Sequence, residues 1–167
     1  MSVIISLDQA KVTGVAVFDD KKLIKHTSIN SNEDDYEKVI FDIAEKVQSL
    51  IDEHEPEIIL LEDVANQTNS ATHKKLSMLL GALILLCNIN QVKYKIIHSS
   101  TWRSIIRKYI EVSKKRLNRT EWKSLSKQLV KDKYNLTVKD DISDAICMGL
   151  YYIAVSYTHL RAHETTL

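Results

Sequence analysis

The chain has 167 residues, 44% hydrophobic and 27% charged, with 23 basic and 22 acidic side chains and a formal net charge of +1. That length holds one domain with a real core, and so much apolar content at near-zero net charge excludes a chain that stays unfolded. With only three glycines (Gly14, Gly81, Gly149) there is no cluster to build a dinucleotide fingerprint or a phosphate loop, and two cysteines (Cys87, Cys147) cannot form a Cys-rich zinc site or a disulfide framework. No charged-then-apolar leader opens the sequence. The longest apolar run, Met78 to Cys87, is well short of the ~20 residues that span a bilayer. The expectation is a soluble, intracellular, single-domain protein with no membrane partner.

Val3 to Leu7 is an apolar, β-rich run that ends at Asp8, and Val12 to Phe18 reads as a second strand. The polar turn Asp19-Asp20-Lys21-Lys22 leads into a third strand over about Leu23 to Ile29, so the first three strands form an antiparallel meander. Ser31-Asn32 can cap a long helix from about Glu33 to His54, with Tyr36, Ile40, Ile43, Val47, Leu50 and Ile51 as its apolar stripe and Pro56 as its stop. Glu57 to Leu61 is a fourth strand, continuously apolar and therefore predicted to be buried on both faces. Thr68 to Asn90 is helical, and Tyr94 to Ile97 is a fifth strand. Ser99, Ser100 and Thr101 offer an N-cap for a helix through about Tyr109. A basic helix follows near Thr120 to Tyr134, and the last helix begins near Asp140-Asp141, carrying Ile142, Ala145, Ile146, Met148 and Leu150 inward. The fold class is α/β, in the order βββ-α-β-α-β-α with helical material inserted before the last helix.

The near-zero net charge hides a separation. Residues 30–63 hold twelve acids and two lysines, a balance of −10, whereas residues 93–133 hold thirteen Lys or Arg and three acids, a balance of +10. A concentrated basic segment attracts a phosphate backbone, although two solvated helix faces of opposite sign would give the same arithmetic. Trp102, Tyr109, Trp122 and Tyr134 are interleaved with the basic residues, as stacking groups or as core.

Asp8 ends the first strand and Glu62 follows the fourth. A right-handed crossover through the long helix would set those strands parallel in one sheet, so both carboxylates emerge at its carboxyl edge, where open α/β sheets place their sites. Asp141 and Asp144, at i and i+3 in the last helix, share one helical face. Each feature has an ordinary explanation, as a loop residue or as a complement to the helix dipole. Four converging carboxylates, however, need a cation among them, and hard oxygen ligands without a usable Cys or His set point to Mg²⁺ or Mn²⁺. Two such ions ~4 Å apart can hold a phosphodiester and activate a water for in-line displacement, so a nuclease is the leading reading.

In its order of elements and in the placing of its acids, the chain resembles the ribonuclease H-like fold, with a mixed sheet of three antiparallel and then two parallel strands flanked by helices. Within that fold it resembles RuvC-type Holliday junction resolvases, particularly a short phage-borne branch. The matching pieces run over residues 3–150: Ile4-Ile5-Ser6-Leu7-Asp8 with Val12-Thr13-Gly14, Leu60-Leu61-Glu62, Lys75-Leu76 with Gly81, Ser100-Thr101-Trp102-Arg103, and Asp141-Ile142-Ser143-Asp144-Ala145. The resemblance implies a homodimer, joined through the helix around 72–88, that binds four-way DNA junctions in the cytoplasm of a bacterial or phage-infected cell. It also implies two Mg²⁺ or Mn²⁺ ions per site on Asp8, Glu62, Asp141 and Asp144, and paired symmetric nicks that leave 5′-phosphate and 3′-hydroxyl ends. Asp63 beside Glu62 and Asp140 beside Asp141 are the neighbouring candidates; Asp141 is chosen because it alone is i, i+3 from Asp144.

Two departures stand out. Bacterial members follow the first Asp with Pro-Gly, where this chain has Gln9-Ala10, and they carry an aromatic wedge three residues after the Glu, where this chain has Ala65. The DNA contacts expected are Arg103, Lys114, Lys115, Arg116 and Lys123, with His98 at the site edge and Cys147 a buried structural thiol. Another ribonuclease H-like nuclease acting on flaps or RNA–DNA hybrids, or a non-catalytic branched-DNA binding module, are the competing readings. Residues 1–155 form the expected nuclease domain. Residues 156–167 resemble a read-through scar and are set aside, along with His159 and His163 at i, i+4, which have no third ligand.

Overall fold

The computed structural model describes residues 2–65, 69–113 and 115–164, with side chains as far as residue 156. Strands β1 (Val3–Asp8), β2 (Val12–Asp19) and β3 (Lys22–Asn30) form the antiparallel meander, and β4 (Ile58–Glu62) and β5 (Lys93–Ile97) extend it in parallel, giving the order β3-β2-β1-β4-β5. The helices are α1 (Tyr36–His54), α2 (Ser70–Ile89), α3 (Ser99–Trp102), α4 (Ser104–Tyr109), α5 (Arg119–Tyr134) and α6 (Asp140–Glu164).

Helices cover both faces of the sheet, so there are two cores. On one face Ile5, Leu7, Ile59 and Leu61 pack against Val39, Ile43 and Val47 of α1 and Leu79, Leu83 and Cys87 of α2. On the other, Ile4, Ala16, Phe18 and Leu60 pack against Trp102, Ile105, Leu129, Ile146 and Met148 from α3 to α6. Because the period of a strand is two, β4 sends Ile59 and Leu61 to one core and Leu60 to the other, which is why its sequence is apolar without alternation.

Some boundaries differ from the sequence reading. Helix α1 starts at Tyr36, not Glu33, because Asp35 is its cap: Asp35 Oδ1 accepts from the Glu37 N–H at 3.1 Å, while Ser31 Oγ accepts from the Glu33 N–H in a turn outside the helix. Glu55, in the left-handed region at φ 44°, ends it ahead of Pro56. The predicted helix over 99–109 is two short helices, since Ser104 Oγ donates to the Thr101 carbonyl at 2.7 Å and competes with the helical ladder at Arg103. The cap of α3 is His98, whose Nδ1 accepts from the Ser100 N–H, rather than any of the three hydroxyl residues after it. Helix α6 continues through residue 156, where the sequence suggested a break, to Glu164; His159 and His163 lie outside the described side chains.

Helix α2 is long and apolar enough, by length and composition, to cross a membrane. In this fold it docks on the sheet through Leu79, Leu83 and Cys87.

Two of the three glycines seat α6. A Cβ on Gly14 would lie 1.9 Å from the Asp141 carbonyl oxygen, and one on Gly149 would lie 2.2 Å from Phe18 Cε2. Gly14 is also the β2 residue opposite Asp8. The bare backbone at that point lets the first turn of α6 lie against the sheet edge where Asp8 emerges.

Candidate active site

Strand pairing sets the first two carboxylates side by side. The parallel register of β1 and β4 runs from Ile4 with Ile58 to Leu7 with Leu61, and the next residues are Asp8 and Glu62. Helix α6, seated through Gly14, adds Asp141 and Asp144 from above. The electrostatics of Asp8 record this convergence. Burial, then the charges of Glu62 and Asp144, a hydrogen bond with Glu62 and the charge of Asp141 push its carboxyl well above the usual range. Burial also raises Asp144, to about 6, with Glu62 adding to it while a hydrogen bond from Ser126 and the charges of Arg103 and Lys123 pull the other way.

Each of the other three carboxylates is held by its own donor. Trp102 Nε1 donates to Glu62 Oε1 at 2.9 Å, Ser28 Oγ to Asp141 Oδ2 at 2.7 Å, and Ser126 Oγ to Asp144 Oδ1 at 2.7 Å. Ser126 is fully buried and touches Ser143 Oγ as well, and its carbonyl accepts from Cys147 Sγ at 3.7 Å. Burial and the nearby Asp144 push the Cys147 thiol well above its ordinary range, as fits a structural thiol. Among the described residues no three Asp, Glu, His or Cys side chains are already drawn together tightly enough to hold an ion.

The neighbouring acids have other partners. Asp140 is ion-paired to Lys123 at 2.8 Å and Lys127 at 2.9 Å, and those hydrogen bonds hold its carboxyl below the ordinary range. Asp63 is exposed on the rim of the cleft.

That cleft, of about 980 Å³, contains all four carboxylates, together with Arg103, Arg119, Lys123, Lys127 and Lys139. Of the predicted DNA contacts, Arg103 and Lys123 line it. The Arg103 guanidinium lies 5.4 Å from the ring centres of both Trp102 and Trp122, and its Nε is buried with no hydrogen-bond partner among the described residues. Lys115 and Arg116 are exposed on the α4–α5 connection, outside the cleft lining, where Arg107 Nη2 holds the Lys115 carbonyl at 2.9 Å. Lys114 lies outside the described residues. His98 is exposed at its capping position and does not line the cleft. The sequence reading did not single out Ser28, Ser126, Arg119, Lys127 or Lys139, and it took Trp102 as stack or core; only the packing of α6 against β3, α3 and α5 brings them to the carboxylates.

The sequence matches the family described as crossover junction endodeoxyribonuclease RuvC over residues 7–152. The chain belongs to that family. It is accordingly a nuclease of the crossover junction endodeoxyribonuclease class, a phosphodiester hydrolase. No curated protein is significantly similar in sequence. Among solved structures, RuvC of Thermus thermophilus in complex with a Holliday junction substrate superposes with a TM-score of 0.69 at 14% identity, covering 90% of this chain and 92% of the other. A further Thermus thermophilus RuvC structure gives 0.71 at 13%, covering 93% and 96%. The yeast mitochondrial Holliday junction resolvase Ydc2 gives 0.66 at 14%, covering 99% and 85%. At these identities the likeness is one of fold, and it is the ribonuclease H-like fold expected from the order of elements.

Proposed function

We propose that this nuclease resolves four-way DNA junctions by metal-dependent hydrolysis, through paired symmetric nicks that leave 5′-phosphate and 3′-hydroxyl ends. The observation that carries the reading is the convergence of Asp8, Glu62, Asp141 and Asp144 in one cleft, recorded in the raised carboxyls of Asp8 and Asp144. An oxygen-only donor set of this charge suits Mg²⁺ or Mn²⁺, and a divalent cation offsets the burial and mutual repulsion that raise the carboxyls of Asp8 and Asp144. When bound by these four residues, two such ions would supply an activated water and stabilise the displaced oxygen.

The chain's own groups account for the rest. Trp102, Ser28 and Ser126 each engage one carboxylate oxygen and leave the other for the site. Arg103, braced between two indoles with its Nε unbonded, meets the phosphate at the catalytic end of the cleft. Lys123 and Lys127, preorganised on Asp140, carry the strand along it, and Lys114, Lys115 and Arg116 on the α4–α5 connection take the outlying duplex arm.

Two copies are needed for two opposed nicks, and α2 supports a homodimer. Its outer face carries Met78, Leu85 and Ile89 at 41%, 61% and 68% exposure, and among the described residues nothing lies within 4 Å of a Cβ placed on Gly81 between them. Cleavage of a labelled four-way junction, a flap, a duplex and an RNA–DNA hybrid in Mg²⁺ tests the reading. Symmetric nicks confined to the junction, absent in Asp8→Asn, are expected; equal cutting of all four substrates would overturn it.

A further inference from the structure

The Gln9-Ala10 sequence that follows Asp8 has a structural role of its own. After Leu7 and Leu61 the parallel ladder between β1 and β4 stops, because β1 turns into β2 through a tight loop. In that loop Thr13 Oγ1 donates to the Ala10 carbonyl at 2.6 Å and accepts from the Ala10 N–H at 3.2 Å. The turn takes the main chain away from Glu62, whose N–H and C=O both face the side that β1 has left. A part-buried peptide group without partners is costly.

The side chain of Gln9 takes the place of the missing backbone. Gln9 Nε2 donates to the Glu62 carbonyl at 2.5 Å, and Gln9 Oε1 accepts from the Glu62 N–H at 3.0 Å. Gln9 is only 7% exposed. A carboxamide offers a donor and an acceptor side by side, as a peptide group does, and among side chains only Asn and Gln have one. Asn is a methylene shorter. The result is one more rung on the sheet, made by a side chain, at the residue that carries a carboxylate.

We infer that Gln9 is a positioning residue for the metal-binding carboxylates: it fixes the backbone of Glu62 beside Asp8, while Trp102 fixes the Glu62 carboxylate from the other side. This rests on the four-carboxylate reading of the site. Gln9 lines the cleft, but both ends of its carboxamide are engaged by the Glu62 peptide group, so its effect is on the geometry of the pair. Removing it lets the end of β4 relax, and the cost appears in cation affinity before it appears in the fold.

The test is Mn²⁺ binding by calorimetry in the absence of DNA, on the full chain and on Gln9→Leu and Gln9→Glu, with thermal melts in EDTA alongside. Gln9→Leu removes both bonds at similar volume and is expected to bind Mn²⁺ roughly tenfold or more weakly, the usual size of an outer-shell effect. The Mn²⁺ needed for half-maximal junction cleavage should rise by the same factor while the rate at saturation recovers. A purely structural role would lower the melting temperature and leave Mn²⁺ affinity alone. If Gln9→Leu does not fold, Gln9→Glu decides, since it keeps the length and the acceptor for the Glu62 N–H but sets an anion against the Glu62 carbonyl. Affinity within twofold of wild type in whichever variant folds would overturn the inference. A wild-type chain that binds no Mn²⁺ would overturn the metal reading beneath it as well.

Discussion

Replacing Asp144 by Asn should make the metal-free protein more stable while abolishing cleavage. Burial raises the Asp144 carboxyl from 3.8 to about 6. Between those values the folded state holds a proton that the unfolded chain has released, so stability falls as pH rises through the interval and stays lower above it. The interval corresponds to about 3 kcal/mol. The substituted carboxamide carries no such cost, and its carbonyl oxygen can still accept from Ser126 Oγ. For a chain of this size about 3 kcal/mol is worth roughly 6–12 °C in melting temperature. Thermal melts by circular dichroism in EDTA should therefore place Asp144→Asn above wild type at pH 8, with the gap narrowing below pH 6 and closing toward about pH 3, where the carboxyl is protonated in both states. Millimolar Mg²⁺ should narrow the gap at pH 8 by stabilising only wild type. A variant less stable than wild type at pH 8, or a gap that does not depend on pH, would refute the claim that these carboxylates are held together at a cost.

Gly14→Ala puts a methyl 1.9 Å from the Asp141 carbonyl oxygen, so α6 must retreat; the expected loss is ~1–3 kcal/mol in urea unfolding, with junction cleavage lost even where the protein is fully folded. Trp102→Phe removes the donor to Glu62 Oε1 and should raise the Mg²⁺ needed for half-maximal cleavage roughly tenfold. The double variant Lys115→Ala, Arg116→Ala should weaken junction binding and reduce the slope of log K against log salt by about 2, measured by fluorescence anisotropy in Ca²⁺. Leu85→Asp, at a position 61% exposed, should leave the monomer folded and shift light-scattering mass from dimer to monomer.

The sheet is legible in the sequence because its signals are local. Apolar runs interrupted by Asp19-Asp20 and Pro56 mark the strands and the stop of α1, and the alternation of faces in β4 follows from its unbroken apolar sequence. The candidate carboxylates are legible for the same reason: Asp8 and Glu62 close strands, and Asp141 and Asp144 share a helical face. The donors that hold them are not. Ser28 lies 113 residues from Asp141 and Trp102 lies 40 from Glu62, so nothing in the local pattern of either residue announces its partner. The cap of α1 is equally hidden, because Ser31, Asn32, Asp34 and Asp35 are all competent caps and hydrogen-bond geometry alone selects Asp35.

By itself the sequence determined the α/β order, the four candidate acids beside their neighbours Asp63 and Asp140, and the separation of charge into an acidic and a basic segment. Those follow from periodicity and residue type, which are properties of neighbours along the chain. Tertiary structure decided which acids meet, since Asp140 is turned to Lys123 and Lys127 while Asp141 is turned to Ser28 and Asp8. It also gave the scarce glycines a purpose that composition does not show. Gly14 and Gly149 are where α6 presses on β2, and close approach between distant segments is a constraint that no local pattern carries.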